Sequence, residues 1–543
     1  MSLRSRVDSR KLYFALIVLP ALGLIVVPLT QPSIVLYEGE TRFSGDEAYT
    51  LLSKIVTEYR RRVVGSEADR RIALWIYDYF KEIGLESYIQ VFYTRSFNGN
   101  IVKAFNVYGI KRGEVDKYIV LIAHHDVVPW TVEGANDNAA GLAVLLELAR
   151  VFSQRNTRLG VIFLSPDAEE TGLWGTRFFV KEFPYVDRVV AAISIDMCAW
   201  KEAEGYALYA FNSAEDPLEL CDGGLLYLMK AHEKFGYLIK VSEPVLAARL
   251  GLMTLFGTDS QVFVSKGIQA VGISDYPLYP YWHTVEDSLD KVSKESLKRV
   301  GDLLERIVLT IDLNGHVPSV GKHYYFINSV VVTWHILLYI FFTLYVPAVY
   351  EVIYLYSRER SKLIPGFVVF TLFYLCSLIC LIIALLSAIF LMNAYLSLII
   401  SFILLIVLVK VMAPKFSADW RSLKLATVTS TIFTYSLLAQ NYSLALLLVA
   451  PLLYVSIIAR PIKHLKIRLL VSLIFPLIVF LPEAYFILEA ASILGFKTSS
   501  STLVFFAEYM LCKEISSFLF FILYFSLLVA IVITLEQILR PES

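Results

Sequence analysis

The spacing of apolar positions divides the chain into three parts. An uninterrupted apolar run, residues 12–29, comes first. Two stretches of helical period follow, DEAYTLLSKIVTEYRRRV and EADRRIALWIYDYFKEIG, the second with Gly84 as its natural C-terminal stop. The pattern then changes to short continuous apolar runs of buried-strand type at 118–123, 161–164, 189–195 and 270–273, with an apolar helix between the first two at about 139–152. This alternation predicts an α/β fold with a mixed, largely parallel sheet flanked by helices.

From residue 327 onward the apolar segments lengthen towards the roughly 20 residues that cross a bilayer. They lie near 327–354, 364–386, 395–412, 425–438, 443–458, 469–487 and 515–535, the fourth and fifth short enough to form one broken hairpin. The expected organisation is a cytoplasmic tail and transmembrane anchor at 1–36, a domain outside the cytoplasm at 37–322, and a C-terminal α-helical membrane domain of about seven helices at 323–543. A cleaved signal peptide is the rival for the first segment, but that run is long for one and no small-x-small site follows in TQPSIVLYEGE.

Composition supports this division. The 543 residues are 57% hydrophobic with a mean hydropathy of +0.61, too apolar for a soluble chain. Lys plus Arg equals Asp plus Glu at 49 each, so no bulk positive charge favours nucleic acid. Basic residues cluster locally instead. Arg4, Arg6, Arg10 and Lys11 precede the first apolar run; Arg358, Arg360 and Lys362 follow the next; Lys410, Lys415, Arg421 and Lys424 surround the third C-terminal segment; Arg460, Lys463, Lys466 and Arg468 follow the fifth. Cytoplasmic loops collect such residues, and these positions agree with about eight spans, both termini in the cytoplasm and residues 37–322 extracellular or lumenal. Of five cysteines, Cys376 and Cys380 fall inside a span, while Cys198 and Cys221 leave a disulfide open.

Candidate chemistry lies in the middle part. His124 in AHHD, Asp137 in GANDN, Glu170 in DAEET, Asp196 closing VVAAISID and His283 in YWHT supply the nitrogen and oxygen donors that a pair of zinc ions takes, with Glu169 beside Glu170 as a candidate base. His124, Glu169 with Glu170, and Asp196 each follow or close a predicted strand, where ligand sites of open α/β sheets form. Taken singly each has a bland reading: a Glu-Glu pair as solvated surface, GANDNAAG as a turn and helix cap. Their joint order and strand-end placement favour one site.

As a set, VVGSEADRR, AHHD, GANDNAAGLAVLLELAR, SPDAEETGLWGTRFF, SIDM, GTDSQVFVSKGIQAVGIS and WHTVEDSLDKV resemble metallopeptidase family 28, the zinc aminopeptidase-like group that also holds glutaminyl cyclases. A peptidase domain followed by multiple spans looks like the endoplasmic-reticulum metallopeptidases of that family. The resemblance implies that Asp137 bridges two zinc ions, with His124 and Asp196 on one and Glu170 and His283 on the other. Asp126 would hold the His124 imidazole in its ligating tautomer. Glu169 would take a proton from water and pass it to the departing amine, while the ions acidify the water and polarise the scissile carbonyl. Substrates would be peptides with a free N-terminus, and the lipid bilayer a second partner.

One departure stands out. Many aminopeptidases of the family have Tyr immediately before the last ligand His, where its hydroxyl helps the developing oxyanion; here that residue is Trp282, with Tyr281 next to it. Trp before this His is similar to glutaminyl cyclases, which keeps cyclisation of N-terminal Gln as an alternative. A catalytically inactive membrane scaffold of the same fold is another, although such scaffolds typically lack the ligands. Aromatic residues of SDYPLYPYW are expected to line a pocket for apolar side chains. Charged positions Glu351, Glu483 and Glu489 within or near the C-terminal spans are expected to be interfacial.

Overall fold

The computed structural model describes residues 31–209, 221–241, 258–322, 324–327 and 330–333. Gln31–Val331 make one compact unit. The anchor, the apolar segments from 334 onward with their basic loops, Cys376, Cys380, Glu351, Glu483 and Glu489 lie outside the described residues. Among the described residues no helix is long and apolar enough to cross a membrane. Residues 327 and 330–333, expected to open the first C-terminal span, belong instead to a two-stranded sheet, β9 (Tyr324–Ile327) with β10 (Val330–Thr333). The Gln31 side chain joins this end to the start of the unit, donating to the Val331 carbonyl (3.0 Å) and accepting from its N–H (2.8 Å).

Helix α1 (Gly45–Glu58) begins at Ser44, whose side chain accepts the Glu47 N–H, and buries Ala48, Leu52, Ile55 and Val56 along one stripe. It stops five residues before the apolar period predicts, because Arg62 turns inward. The fully buried Arg62 guanidinium donates to the carbonyls of Tyr59, His125, Glu133 and Gly134, an arrangement available only to a chain that has left the helix. Helix α2 (Glu67–Glu82) is capped by Ser66 and ends as expected at Gly84. The Gly84 N–H bonds Lys81 and the Leu85 N–H bonds Phe80, with Gly84 in the left-handed region at φ 84°.

The main sheet has the order β1-β2-β4-β3-β5-β8-β6-β7. Its strands are β1 (Glu86–Arg95), β2 (Ile101–Lys111), β3 (Tyr118–Ile122), β4 (Gly160–Ser165), β5 (Val189–Ile195), β6 (Gly205–Tyr209), β7 (Ile239–Val241) and β8 (Ala270–Tyr276). The central run β4-β3-β5-β8 is parallel, while β2 joins β4 and β6 joins β8 antiparallel. The fold is therefore the expected mixed sheet flanked by helices, with its four predicted strands as the parallel centre. Those strands are buried on both faces and read as continuous apolar runs. The β1–β2 pair escaped that pattern because β1 has only two buried positions, Phe92 and Thr94, so its apolar residues do not form a run.

Successive β3 side chains enter opposite layers. Ile119 and Leu121 join the larger core with α1, α2, α3 (Ala140–Ser153) and α7 (Lys294–Asn314). Tyr118, Val120 and Ile122 join the second core, shared with α4 (Trp174–Glu182) and α6 (Ser260–Val264). The remaining helix, α5 (Gly224–Lys230), buries Leu225, Leu226, Leu228 and Met229 in the first core. Cys198 and Cys221 are both buried free thiols, one in each core, which answers the open question of a disulfide.

Helix α3 approaches the end of β5 closely at Gly141. A Cβ there would stand 2.1 Å from Asn138 Oδ1 and 2.5 Å from the Ile195 carbonyl. Gly141→Ala is expected to destabilise the fold by about 1–3 kcal/mol through overpacking, read as a lower thermal midpoint. An unchanged midpoint would show that the helix and strand can part without cost.

Candidate active site

The order β4-β3-β5-β8 decides what meets at the carboxyl edge of the sheet. His124 follows β3 and sits between Glu169 and Glu170, which follow β4, and Asp196, which follows β5. His283 arrives on the loop after β8, and Asp137 on the turn before α3. His124 Nε2 lies 3.6 Å from Asp137 Oδ1 and 3.6 Å from Asp196 Oδ1. His283 Nε2 lies 2.7 Å from Glu170 Oε2 and 3.4 Å from Asp137 Oδ2. Asp137 thus turns one oxygen to each of two donor sets, His124–Asp137–Asp196 and Asp137–Glu170–His283. Glu169 has a carboxylate oxygen within 4.8 Å of donors on His124 and Glu170. All six residues expected to share one site are brought together.

Backbone bonds hold these carboxylates in place. Asp126 lies with Oδ1 3.5 Å from His124 Nδ1, which also meets the Asp126 carbonyl at 3.2 Å. The same carboxylate accepts the N–H of Glu169 (3.1 Å) and of Glu170 (3.2 Å). It therefore locks the β4 loop to the β3 end as well as orienting the ring, a broader task than the sequence suggested. Asp287 does the equivalent for the turn, accepting the N–H of Asn136 (2.8 Å) and Asp137 (3.1 Å). The Asn138 amide donates to the Ile195 carbonyl at 2.8 Å, and the Asn136 amide to Asp275 at 2.9 Å. The Asp137–Asn138 peptide is cis.

Three non-glycine residues at the site take positive φ: Ala168 (59°) just before Glu169, Met197 (48°) just after Asp196, and His283 itself (55°). Each is disfavoured for an L-residue and persists only where surrounding contacts dictate it. For His283 one such contact is Trp130, whose indole N–H donates to the His283 carbonyl at 2.8 Å.

Burial and mutual repulsion dominate the electrostatics. Burial raises Glu170 to about 8, with His124 opposing and Asp126 and Asp196 adding to the rise. Asp137 is raised by burial, then by Glu170 and Asp196. Glu169 is raised by burial against the pull of His124. Burial works against a charged His124, but Glu169 and hydrogen bonding to Asp126 and Asp196 outweigh it and raise this imidazole. Glu170 Oε1 and Asp196 Oδ1 are buried with no hydrogen-bond partner. Carboxylates and imidazoles stacked this closely, with orphaned oxygens facing inward, are a donor set that fits divalent cations, and nitrogen with carboxylate oxygen suits zinc.

The two aromatic candidates are less directly placed. The Tyr281 ring lies against Tyr279 (5.6 Å between centroids) with the Lys291 ammonium 4.8 Å above it. The Trp282 ring is half-buried, 4.4 Å from the His283 ring. Tyr279 of the aromatic loop is fully buried, and its hydroxyl donates to Asp287 at 2.8 Å. Sequence reasoning missed Asp287, Asn136, Asp275 and Arg62 as supports. Asp287 and Asn136 sit inside motifs already singled out, next to donors, and that proximity was the available signal.

Residues 106–308 match the family model for peptidase family M28. The chain is 28% identical over 226 residues to Aminopeptidase YwaD of Bacillus subtilis, covering 37% of this chain and 44% of that protein. It is 30% identical over 222 residues to Aminopeptidase NAALADL1 of Mus musculus, covering 35% of this chain and 28% of that protein. The chain thus spans less than half the length of either relative. Among solved structures, a zinc aminopeptidase from Bacillus subtilis aligns at a TM-score of 0.42 and 19% identity, covering 50% of this chain and 96% of the other. The likeness to peptidase family M28 thus rests on residues 106–308, the stretch that holds all six residues gathered at the site.

Proposed function

We propose that the protein is a membrane-bound zinc aminopeptidase with two ions per chain, removing N-terminal residues from peptides outside the cytoplasm. The observation that carries this reading is Asp137, whose two carboxylate oxygens face two separate donor sets. His124 and Asp196 would complete one site, Glu170 and His283 the other. Zinc, when bound, supplies Lewis acidity towards the scissile carbonyl and lowers the pKa of water.

The chain's own residues do the rest. Glu169 belongs to the same cluster but is not needed to complete either donor set, so its carboxylate is free to act as base. It takes one proton from the attacking water as the oxygen adds to the carbonyl carbon, and returns a proton to nitrogen as the C–N bond breaks. Asp126 keeps Glu169 at that position through its backbone N–H. The Trp130 indole N–H holds the His283 backbone carbonyl, and the exposed rings of Trp130 and Phe97 lie 5.8 Å apart beside it. Trp282 beside His283 favours one second reading, cyclisation of N-terminal Gln with loss of ammonia. Attachment to the bilayer and placement of residues 37–322 outside the cytoplasm rest on the apolar segments and the Lys/Arg distribution.

Zinc-loaded full-length protein is expected to trim free but not N-acetylated peptides in a chelator-sensitive way, read by mass spectrometry of the products. Glu169→Gln should keep its metal and lose about 10²–10⁴-fold in turnover, whereas Asp137→Ala should lose metal. Undiminished turnover in Glu169→Gln would remove the base assignment, and loss of ammonia from Gln-initiated peptides alone would move the activity to cyclisation.

Metal removal should also change the pH dependence of stability. In the metal-free fold Glu170 is raised from 4.5 to about 8 and Asp259 from 3.8 to about 7, both chiefly by burial. The folded chain then keeps protons that the unfolded chain has released. The stability these groups contribute is fully present below their unfolded values and is lost as pH rises through their folded ones. The thermal midpoint of chelated protein should therefore fall as pH rises from 4.5 to about 8, while metal-loaded protein declines less. Parallel curves with and without metal would contradict this.

In sealed vesicles whose cytoplasmic face points outward, residues 37–322 should resist added protease until the membrane is opened. Digestion before permeabilisation would reverse the proposed orientation.

A further inference from the structure

Beside the proposed dinuclear centre lies a second set of buried donors. Asp69 stands in the first turn of α2, His125 just past β3 and Asp167 just past β4, and their ligating atoms lie within 4.8 Å of one another. All three residues are shut off from solvent. His125 Nδ1 is 2.9 Å from Ser165 Oγ. Its Nε2 faces Asp69 Oδ1 at 3.6 Å, and neither of those two atoms has a hydrogen-bond partner.

Two orphaned atoms facing each other in a dry interior require a reason. If Nδ1–H donates to Ser165, Nε2 turns a bare lone pair towards a carboxylate oxygen, which is repulsive unless a cation lies between them; if Ser165 donates to Nδ1 instead, the Nε2–H stands 3.6 Å from Asp69 Oδ1, beyond hydrogen-bond reach. Arg62 is close but is not that cation, since its N–H groups go to the carbonyls of His125, Tyr59, Glu133 and Gly134. A proton shared by Asp69 and Asp167 would quiet the two carboxylates and still leave Nε2 unmatched. The spacing also fits a metal. Donors at about 2.0–2.1 Å from a tetrahedral ion stand about 3.3–3.4 Å apart. The observed 3.6 Å equals the separation of His124 Nε2 from Asp137 and from Asp196 in the neighbouring cluster.

We propose that Asp69, His125 and Asp167 bind a third divalent cation, distinct from the two of the active site. One imidazole nitrogen with two carboxylate oxygens selects zinc over calcium or magnesium, which take oxygen alone. The carboxylates are already oriented for it: Asp69 Oδ2 accepts the Gly65 N–H (3.0 Å), and Asp167 accepts those of Phe105 (2.8 Å) and Ala168 (2.7 Å). The ion would tie α2 to the ends of β3 and β4, one residue from His124 and two from Glu169. Its role is positioning, with no contact to substrate. The proposal does not rest on the aminopeptidase reading.

The test is metal counting on purified, zinc-loaded full-length chain. Three ions are expected in the wild type, two in Asp69→Ala, one in Asp137→Ala and none in the double variant. Two ions in the wild type, unchanged in Asp69→Ala, would overturn the third site, as would their complete loss in Asp137→Ala. One ion in the wild type, lost in Asp69→Ala alone, would keep this site and reject the dinuclear centre. Should Asp69→Ala fail to fold, anomalous scattering at the zinc edge from wild-type crystals decides: a peak bonded to His125 Nε2 supports the site, and a blank one removes it.

Discussion

A concentration of carboxylates held in a dry interior is the constraint on which the rest of this structure depends. Asp126, Asp137 and Asp196, with Glu169 and Glu170 beside them, are gathered at one edge of the sheet, almost wholly removed from water. Ionised carboxylates in such a place repel one another and forfeit hydration, a cost of several kcal/mol per uncompensated ion. Without a cation, burial raises Glu170, Asp137 and Glu169 above the usual carboxylate range and so favours their protonated forms. Divalent cations reverse that preference, so the same feature that burdens the metal-free fold gives it a strong pull on metal.

Keeping such a cluster in order takes rigid support, and the chain supplies it through the backbone. Parallel strands β3, β4 and β5 deliver their last residues side by side. Asp126 and Asp287 then grip the two turns that carry Glu169–Glu170 and Asp137. Ala168, just before the gripped Glu169, takes an unfavourable backbone angle, as do Met197, whose carbonyl accepts the Asp275 N–H, and His283, whose carbonyl accepts the Trp130 indole N–H. A donor set fixed in this way need not reorganise when charge develops during a reaction, which is where preorganised sites gain most.

The edge of the sheet also reaches the candidate site. The turn between β1 and β2 brings Phe97 against Trp130, and Trp130 in turn holds the His283 carbonyl. A hairpin whose first strand is largely exposed thus shapes the surroundings of His283. Arg62 has a comparable reach: ending α1 early lets its guanidinium bind carbonyls on both the β3 end and the turn before Asp137.

The parallel centre of the sheet is legible along the chain, because strands buried on both faces must be apolar throughout and so read as unbroken runs. The sequence also singles out the candidate donors, since His, Asp and Glu within recognisable motifs, several of them at strand ends, carry their chemistry locally. Helix α2 was legible to its last turn, where Gly84 supplies the left-handed residue that the closing bonds need. The remainder depends on contacts between segments far apart in the chain. The half-exposed β1–β2 hairpin has no local signature strong enough to separate it from loop. The roles of Asp287, Arg62 and Asp69 depend on partners tens to hundreds of residues away, and a single carboxylate or guanidinium reads as surface until the fold buries it. Which oxygen of Asp137 faces which histidine is likewise a property of strand order, because no spacing along the chain encodes which strand ends become neighbours.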